Sequence, residues 1–179
     1  MQPLVLNVAL FGKHPSSSEY IYFGHNSKFM NSIIHWVEEG YETLLQSRAT
    51  KRSKEVYHFC FINKAENNFI CSSIKMSKDS NNREYPLVAA IEISPCSFFK
   101  NNQEILEYSK LLNKKVLNIF KKEYHLEALK KELRMLSRYN KFETQEDSFV
   151  SSIFMNENFS EVKFFSRPLE KSDFTKLIG

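Results

Sequence analysis

The sequence predicts an α/β protein whose mixed, largely antiparallel sheet is covered by helices on both faces. Two apolar patterns alternate along the 179 residues. Short β-branched and aromatic runs are typical of strands, and longer segments have the spacing of amphipathic helices. Two successive strands are separated by only four residues, which requires an antiparallel pair. The length suits one domain over residues 1–179, and the 16 Phe predict a Phe-rich core.

The first half of the chain supplies an apolar strand, a helix and a hairpin. Residues 4–11, LVLNVALF, form a short apolar run that predicts a buried strand. Residues 29–45 place apolar side chains along one wide helical face, and Asn26 or Ser27 can cap the start of that helix. The hairpin is predicted from strands at residues 55–63 and 68–76, with a loop at residues 64–67.

The remaining elements alternate between the same two patterns. Pro86 lies near the start of the next strand, where a missing N–H is tolerated. Ser172 is expected to cap the last helix. In order, these elements are a strand at residues 85–93, helices at 103–122 and 126–139, strands at 148–155 and 160–166, and a helix at 172–178.

A Gly-Lys pair after the first strand invites comparison with a phosphate-binding loop. That loop needs a Gly five residues before its Gly-Lys, and a Ser or Thr after the Lys. Here Asn7 stands at the first of these positions, and His14 follows Lys13. The segment therefore does not have the residues that hold a phosphate in this way.

Turn chemistry accounts better for the segment at residues 11–24. Gly12 permits unusual backbone angles at the strand end, and Pro15 disfavours helix at the residue before it. Ser16 and Glu19 have the spacing of a capping box. The expected short helical turn would end at Gly24.

A second polar cluster, MSKDSNNREYPL at residues 76–87, lies between two predicted buried strands. Asp79 and Arg83 bracket Ser-Asn-Asn, a pattern that commonly braces a turn through charge-assisted hydrogen bonds. Contact with a ligand or partner is the alternative. If this loop and residues 11–24 share one sheet edge, Lys13 or Arg83 can reach a carboxylate. We expect five residues chiefly to shape the fold: Gly12, Pro15, Asp79, Arg83 and Pro86.

The cysteines raise the question of a metal site. In a regular hairpin Cys60 faces Cys71, and His58 lies on the same face, which gives three potential zinc ligands. However, these residues lie among Phe, Ile and Val without metal-type spacing, and free Cys is often buried. We expect the three cysteines, including Cys96, to be reduced and free of metal, and we expect no cofactor.

Several classes of protein are disfavoured by missing signatures. The sequence lacks a nucleophile elbow, an H-E-x-x-H motif and a Gly-rich loop, so no enzyme activity is predicted. No apolar run reaches about 18 residues, so no membrane span is expected. The few, odd-numbered cysteines and the absence of a basic leader favour the cytoplasm.

Positive charge is concentrated at residues 110–141, which contain ten Lys or Arg and only three Glu. The segment is either two solvated helix faces or a docking surface for something acidic. We expect contact to involve the basic residues Lys114, Lys121, Lys131 and Arg138. Nucleic-acid binding is disfavoured because the segment has few aromatic residues for base stacking and the net charge is only +4.

The order of these clusters resembles the type VI secretion-associated family TagF, also called ImpM. That family has a strand, then Gly-Lys-x-Pro, a small polar run, and an acidic-aromatic-aliphatic triplet. The matching residues are Gly12, Lys13, Pro15 and Glu19-Tyr20-Ile21. Ser18 stands where the family usually has Gly, and Glu19 where it has Asp.

Two further motifs extend the resemblance along almost the whole chain. The family's Met-Pro-Ser-x-Asp loop and Gly-Arg-x-aromatic-Pro-Leu strand resemble a segment that lacks the Pro and Gly and is one residue shorter. Its matching residues are Met76, Asp79, Arg83, Tyr85, Pro86 and Leu87. The family's C-terminal pattern resembles Ser151-Ser152-Ile153-Phe154, Arg167-x-Leu169 and Phe174-x-x-Leu177.

The resemblance implies a three-layer α/β/α sandwich and a cytoplasmic accessory protein of a bacterial type VI secretion system. It implies repression of secretion after translation, through binding of the forkhead-associated scaffold protein Fha. Sequestration of that scaffold requires no catalysis. The alternative is a small enzyme that uses a Lys13, Asp79 and Arg83 cluster, provided that the fold brings the two loops together.

Overall fold

The structure, a computed structural model, describes residues 5–47, 55–63, 65–94, 102–121, 125–136 and 152–178. Predictions at residues 137–139 and 148–151, and those for Cys96 and Arg138, lie outside these residues. The strands are β1 (Val5–Gly12), β2 (Ile21–Gly24), β3 (Val56–Asn63), β4 (Asn68–Lys78), β5 (Glu84–Ser94), β6 (Ser152–Met155) and β7 (Val162–Phe165). The helices are α1 (Lys28–Gln46), α2 (Asn102–Lys121), α3 (Leu126–Leu136) and α4 (Lys171–Ile178).

The strands form one sheet in the order β2-β1-β5-β4-β3-β6-β7. Every pairing in the described part of the chain is antiparallel, so the predicted mixed sheet is wrong in that detail. The reason lies in the connections. Helix α1 leads from β2 to β3, and α2 and α3 lie between β5 and β6. These pairs of strands are not neighbours in the sheet, so the helical connections create no parallel pair.

The hairpin of β3 and β4 forms as predicted. Asn63 pairs with Asn68, which leaves the expected four residues between the strands. In the same register Cys60 lies opposite Cys71. Both strands are largely buried, so this hairpin lies in the middle of the sheet rather than at its edge.

Helices pack against both faces of the sheet. Along β1, Leu6, Val8 and Leu10 belong to the apolar cluster that also contains residues of α2 and α3. The intervening Ala9 and Phe11 belong to the cluster that contains residues of α1 and α4. This alternation follows from the period of two along a strand, and it divides the core into two parts.

The predicted capping box at Ser16 and Glu19 is wrong, because residues 13–20 form turns and bends rather than a helix. The Ser16 hydroxyl lies 2.8 Å from His14 Nδ1, and the Glu19 N–H donates instead to the Ser17 hydroxyl. The chain then enters β2. Gly24 ends that strand, with φ +105°, and does not end a helical turn.

The two predicted helix caps have different outcomes. Ser27 caps α1 and accepts a hydrogen bond from the Met30 N–H at 2.9 Å. The prediction for Ser172 is wrong, because α4 begins one residue earlier. Asp173 fixes this start by accepting the Glu170 N–H at 2.8 Å, which is the reciprocal half of a capping box.

Gly40 allows α1 to approach α4 closely. A Cβ at this position would lie 2.4 Å from Cγ of Phe174 and 2.5 Å from its Cβ. We expect Gly40→Ala to reduce the free energy of unfolding by about 1–3 kcal/mol, because the added methyl overpacks the contact. Urea denaturation measures the loss.

A change at Phe174, the ring that the added methyl would meet, provides the control for this experiment. Because the clash is with a side chain, the double variant Gly40→Ala/Phe174→Leu should lose less stability than the sum of its two single variants. Strict additivity would show that Gly40 is not required for the approach of the two helices.

None of the helices in the described ranges has a stretch that is both long and apolar enough to cross a lipid bilayer.

Candidate functional site

The two loops that carry the sequence motifs meet at the side chain of Asp79. This carboxylate is fully enclosed, and its Oδ2 lies 2.9 Å from Lys13 Nζ and 2.8 Å from Arg83 Nε. Lys13 is largely buried, whereas about half of the Arg83 side chain is exposed. The expectation that Lys13 or Arg83 reaches a carboxylate is confirmed, and both cations reach the same one.

The second oxygen of Asp79 shapes its own loop. Oδ1 accepts the N–H groups of Asn81 at 3.0 Å and Arg83 at 2.8 Å. The backbone of Asp79 also pairs with Asn82 and Arg83, and Asn82 has φ +61°. Asp79 therefore satisfies a tight turn between β4 and β5 as well as two side-chain cations.

Backbone contacts join this turn to the loop after β1. The Ser80 N–H donates to the Ser17 carbonyl at 2.9 Å, and the Arg83 guanidinium donates to the Ser18 carbonyl. Gly12 has φ +116° and lies against the Pro86 carbonyl. The segment after β1 therefore contacts the turn and the start of β5 at Gly12 as well as at Ser17 and Ser18. The Asp79 cluster, by which we mean Lys13, Asp79 and Arg83, is the centre of this junction.

The protonation state of Asp79 limits what the cluster can do chemically. Burial alone would raise the pKa of this carboxyl, but hydrogen bonds from Lys13 and Arg83 hold it well below its ordinary value. A carboxylate with such a low pKa is a poor general base near neutral pH. Both of its oxygens already accept hydrogen bonds from donors of the chain itself.

Aromatic rings extend from the junction towards α1. Tyr20 packs edge-on against Tyr85, with ring centres 5.5 Å apart, and Tyr85 packs edge-on against Tyr41 at 5.0 Å. The Tyr41 hydroxyl donates to the Glu84 carbonyl at 2.9 Å. These contacts fix the position of the motif residue Tyr20, which nevertheless stays partly exposed.

The C-terminal motif is also held by an ion pair. Arg167 makes a two-pronged contact with Asp173, at 2.7 Å and 3.1 Å. The hydrogen bond from Arg167 lowers the pKa of the Asp173 carboxyl and outweighs the opposing effect of burial. Trp36 donates its indole N–H to the Glu170 carbonyl at 2.9 Å, which ties this segment to α1.

The predicted basic surface is only partly described. Lys114 on α2 and Lys131 on α3 are exposed, and both helices pack on the same face of the sheet. The Lys121 side chain and all of Arg138 lie outside what the structure describes. Two further cations, Lys130 and Arg134, lie over the ring of Phe23 and so cover β2.

Two buried polar groups resemble chemical sites but are enclosed. Cys60 and Cys71 are free thiols with sulfurs 4.0 Å apart, and Ser109 Oγ lies 3.4 Å from each sulfur. Burial raises the pKa of the Cys60 thiol, which makes it a poor nucleophile. Within the described ranges, no group of His, Cys, Asp and Glu is arranged to hold a metal ion.

A His-Ser contact lies two residue pairs further along the same hairpin. His58 Nδ1 is 2.8 Å from Ser73 Oγ, which donates to Asn113 Oδ1 at 3.2 Å. All three side chains are inaccessible to solvent. A substrate therefore cannot reach the Ser73 hydroxyl, and these contacts join His58 Nδ1, the Ser73 hydroxyl and Asn113 Oδ1 within the core.

Comparison with protein families matches residues 9–136 to the TagF N-terminal domain, which is described as type VI secretion system-associated. This match covers most of the chain, including the Asp79 cluster. The chain belongs to the TagF family. The suspected family is therefore confirmed, and the type VI secretion association follows from the same match.

A solved structure has a fold similar to that of this chain. A crystal structure of PA0076 from Pseudomonas aeruginosa PAO1 superposes with a TM-score of 0.73 and 11% sequence identity. The alignment covers 96% of this chain and 93% of that one. At this identity the likeness concerns the fold alone. No curated protein matches the sequence significantly.

Proposed function

We propose that this TagF-family protein restrains a type VI secretion system after translation by binding the forkhead-associated scaffold protein Fha in the cytoplasm. The family match over residues 9–136 is the observation that carries the proposal. Sequestration needs a stable domain with an accessible surface, and it needs no reaction. The scaffold would be denied to the assembling apparatus for as long as the complex lasts.

The Asp79 cluster favours this reading over a small enzyme. Both oxygens of Asp79 accept hydrogen bonds from the chain itself, and the side chain is shielded from solvent. We propose that Lys13 joins the two loops through Asp79. Five motif residues would chiefly shape the fold: Gly12, Pro15, Asp79, Arg83 and Pro86. Function then resides on the surface around them and on the helices.

The same reasoning supports the finer architecture. Because α2 and α3 pack on one set of strand residues and α1 and α4 on the other, we propose a three-layer α/β/α sandwich. Residues 1–179 would form one such domain. Each outer layer then offers a separate helical surface to partners.

The basic surface of α2 and α3 is the proposed contact with the scaffold. Lys114 and Lys131 are exposed on that side of the sheet, where they would favour an acidic patch and speed encounter. We expect Lys114→Glu/Lys131→Glu to lower the association rate with purified Fha by roughly 3- to 10-fold at low salt. Stopped-flow or surface-based kinetics measures this rate.

A charge-matched variant separates the surface from net charge. Lys28→Glu/Lys171→Glu makes the same change in charge on exposed residues of α1 and α4. Wild type should associate more slowly as salt rises, because exposed charges are screened over about 8 Å at physiological ionic strength. Equal slowing by both double variants would remove α2 and α3 from the contact, and an absence of binding by wild type would reject Fha as the partner.

A further inference from the structure

A second exposed surface lies on the opposite side of the sheet from α2 and α3. It consists of Tyr20, Tyr22, Tyr85, Glu38 and Glu42, and we call it the tyrosine patch. Tyr20 is 40% exposed and Tyr22 is 42% exposed, although both are large side chains. Tyr and Arg are enriched where protein interfaces gain most of their energy, and exposed aromatic groups in one place are uncommon on isolated domains.

The patch is held in place before any partner arrives. The Tyr20 ring rests edge-on against Tyr85, which rests edge-on against buried Tyr41. The Tyr22 hydroxyl donates to the His25 carbonyl at 2.7 Å. A rigid aromatic surface loses little conformational entropy on binding, which favours its use as an interface.

The charge around these rings is negative. Glu38 lies three residues before Tyr41 on α1, and Glu42 follows Glu38 by four residues, so the two carboxylates lie on neighbouring turns of one side of the helix. Burial raises the pKa of the Tyr20 and Tyr85 hydroxyls, and the negative charge of Glu38 adds to both shifts. The neighbouring Leu45 is 48% exposed and adds apolar area at the C-terminal end of the same face.

Nearby positive charges do not cancel this field. Lys13 and Arg83 share the carboxylate of Asp79, which leaves one net charge at the margin of the patch. His35 lies 3.4 Å from Glu38 and is itself largely exposed. Glu19 and Glu39 are further exposed carboxylates on the same loop and helix, and the exposed cation Lys78 lies opposite Glu84 in the pairing of β4 with β5.

From this arrangement we propose that the tyrosine patch binds an arginine- or lysine-rich segment of a partner protein. A guanidinium or ammonium group would lie over a tyrosine face, where the ring quadrupole attracts it, with Glu38 and Glu42 as counter-charges. The inference does not depend on what α2 and α3 contact. A TagF-family protein with both surfaces would engage an acidic partner on one side of its sheet and a basic one on the other.

A blocked hexa-arginine peptide is the probe, and isothermal titration calorimetry with the full chain is the measurement. We expect Tyr20→Ala to weaken binding about two- to fivefold, through loss of one cation–π contact. Glu38→Gln/Glu42→Gln should weaken it about two- to tenfold, and rising salt should weaken it further. Circular dichroism on each variant shows whether the fold is intact.

The controls decide where the peptide binds. Glu107→Gln and Leu111→Ala change an exposed carboxylate and an exposed apolar residue on α2, across the sheet, and should leave peptide affinity unchanged. Equal losses in control and patch variants, or equal binding of a hexa-glutamate peptide, would overturn the proposal. Self-association that Tyr20→Ala abolishes would also overturn it, because the occupant would then be a second copy of the chain.

Discussion

The Asp79→Asn variant is expected to melt at least about 5 °C below wild type. The amide keeps the shape of the side chain but removes the charge that compensates Lys13 and Arg83, and largely buried Lys13 then lacks a counter-ion. Removing one partner of a buried charge pair is costly, and a domain of this size shifts by several degrees for such a loss. Differential scanning calorimetry near neutral pH measures the shift.

The pH dependence of this difference identifies its cause. The ordinary carboxyl pKa is 3.8, and the pKa of Asp79 in the folded protein lies well below it. Ionised Asp79 therefore stabilises the fold fully above about pH 5, and this contribution is lost as the pH falls through the folded pKa. We expect the gap between wild type and Asp79→Asn to be constant from about pH 7 to pH 5 and to shrink below about pH 4.

An exposed carboxylate in the same pair of loops provides the control. Glu19→Gln should melt within about 1 °C of wild type, because surface substitutions rarely matter. If Asp79→Asn melted as close to wild type as that, the cluster would not be a structural brace. A ligand or catalytic role for Lys13, Asp79 and Arg83 would then be the better reading.

Gly12→Ala is expected to destabilise the protein more than any other single change considered, by more than about 4 kcal/mol. Gly12 has φ +116°, and a Cβ there would lie 1.9 Å from the Pro86 carbonyl oxygen. The residue would face both backbone strain and a clash with a central strand. We expect the variant either to aggregate when it is expressed or, once purified, to unfold without a cooperative transition.

The atom that Gly12 approaches makes this prediction specific. Because it is a backbone carbonyl, Gly12→Ala/Pro86→Ala should not recover stability, in contrast to the side-chain clash at Gly40. Far-ultraviolet circular dichroism and urea denaturation compare the two pairs of variants. A Gly12→Ala protein with near-normal stability would show that β1 does not need to approach β5 so closely.

The strands and helices with strong periodicity could be predicted from the sequence, whereas β2 could not. Strand β2 is only four residues long, and its pairing with β1 depends on how the loop at residues 13–20 folds. Ser16 and Glu19 carry a capping pattern, but His14 takes the Ser16 hydroxyl. A local pattern is overridden when a neighbouring side chain offers a competing hydrogen bond.

The sequence was sufficient to predict which residues belong to the candidate site, but not all of their contacts. Asp79 and Arg83 indicated a braced turn, and a shared sheet edge was the condition under which Lys13 or Arg83 would reach a carboxylate. Some contacts leave no signal in the sequence because they depend on tertiary structure. These are the hydrogen bonds to the Ser17 and Ser18 carbonyls and the ion pair of Arg167 with Asp173. The tyrosine patch was missed for the same reason, since Glu38 and Tyr20 come together only in the folded protein.

One measurement tests the proposed repression most directly: the secreted tube protein of the type VI system in host cells that overproduce this chain. We expect wild type to lower secretion while the amount of tube protein inside the cells stays the same, and we expect Lys114→Glu/Lys131→Glu, at equal abundance, to repress less. Undiminished secretion from cells that contain abundant, folded wild-type protein would show that this chain does not repress the system.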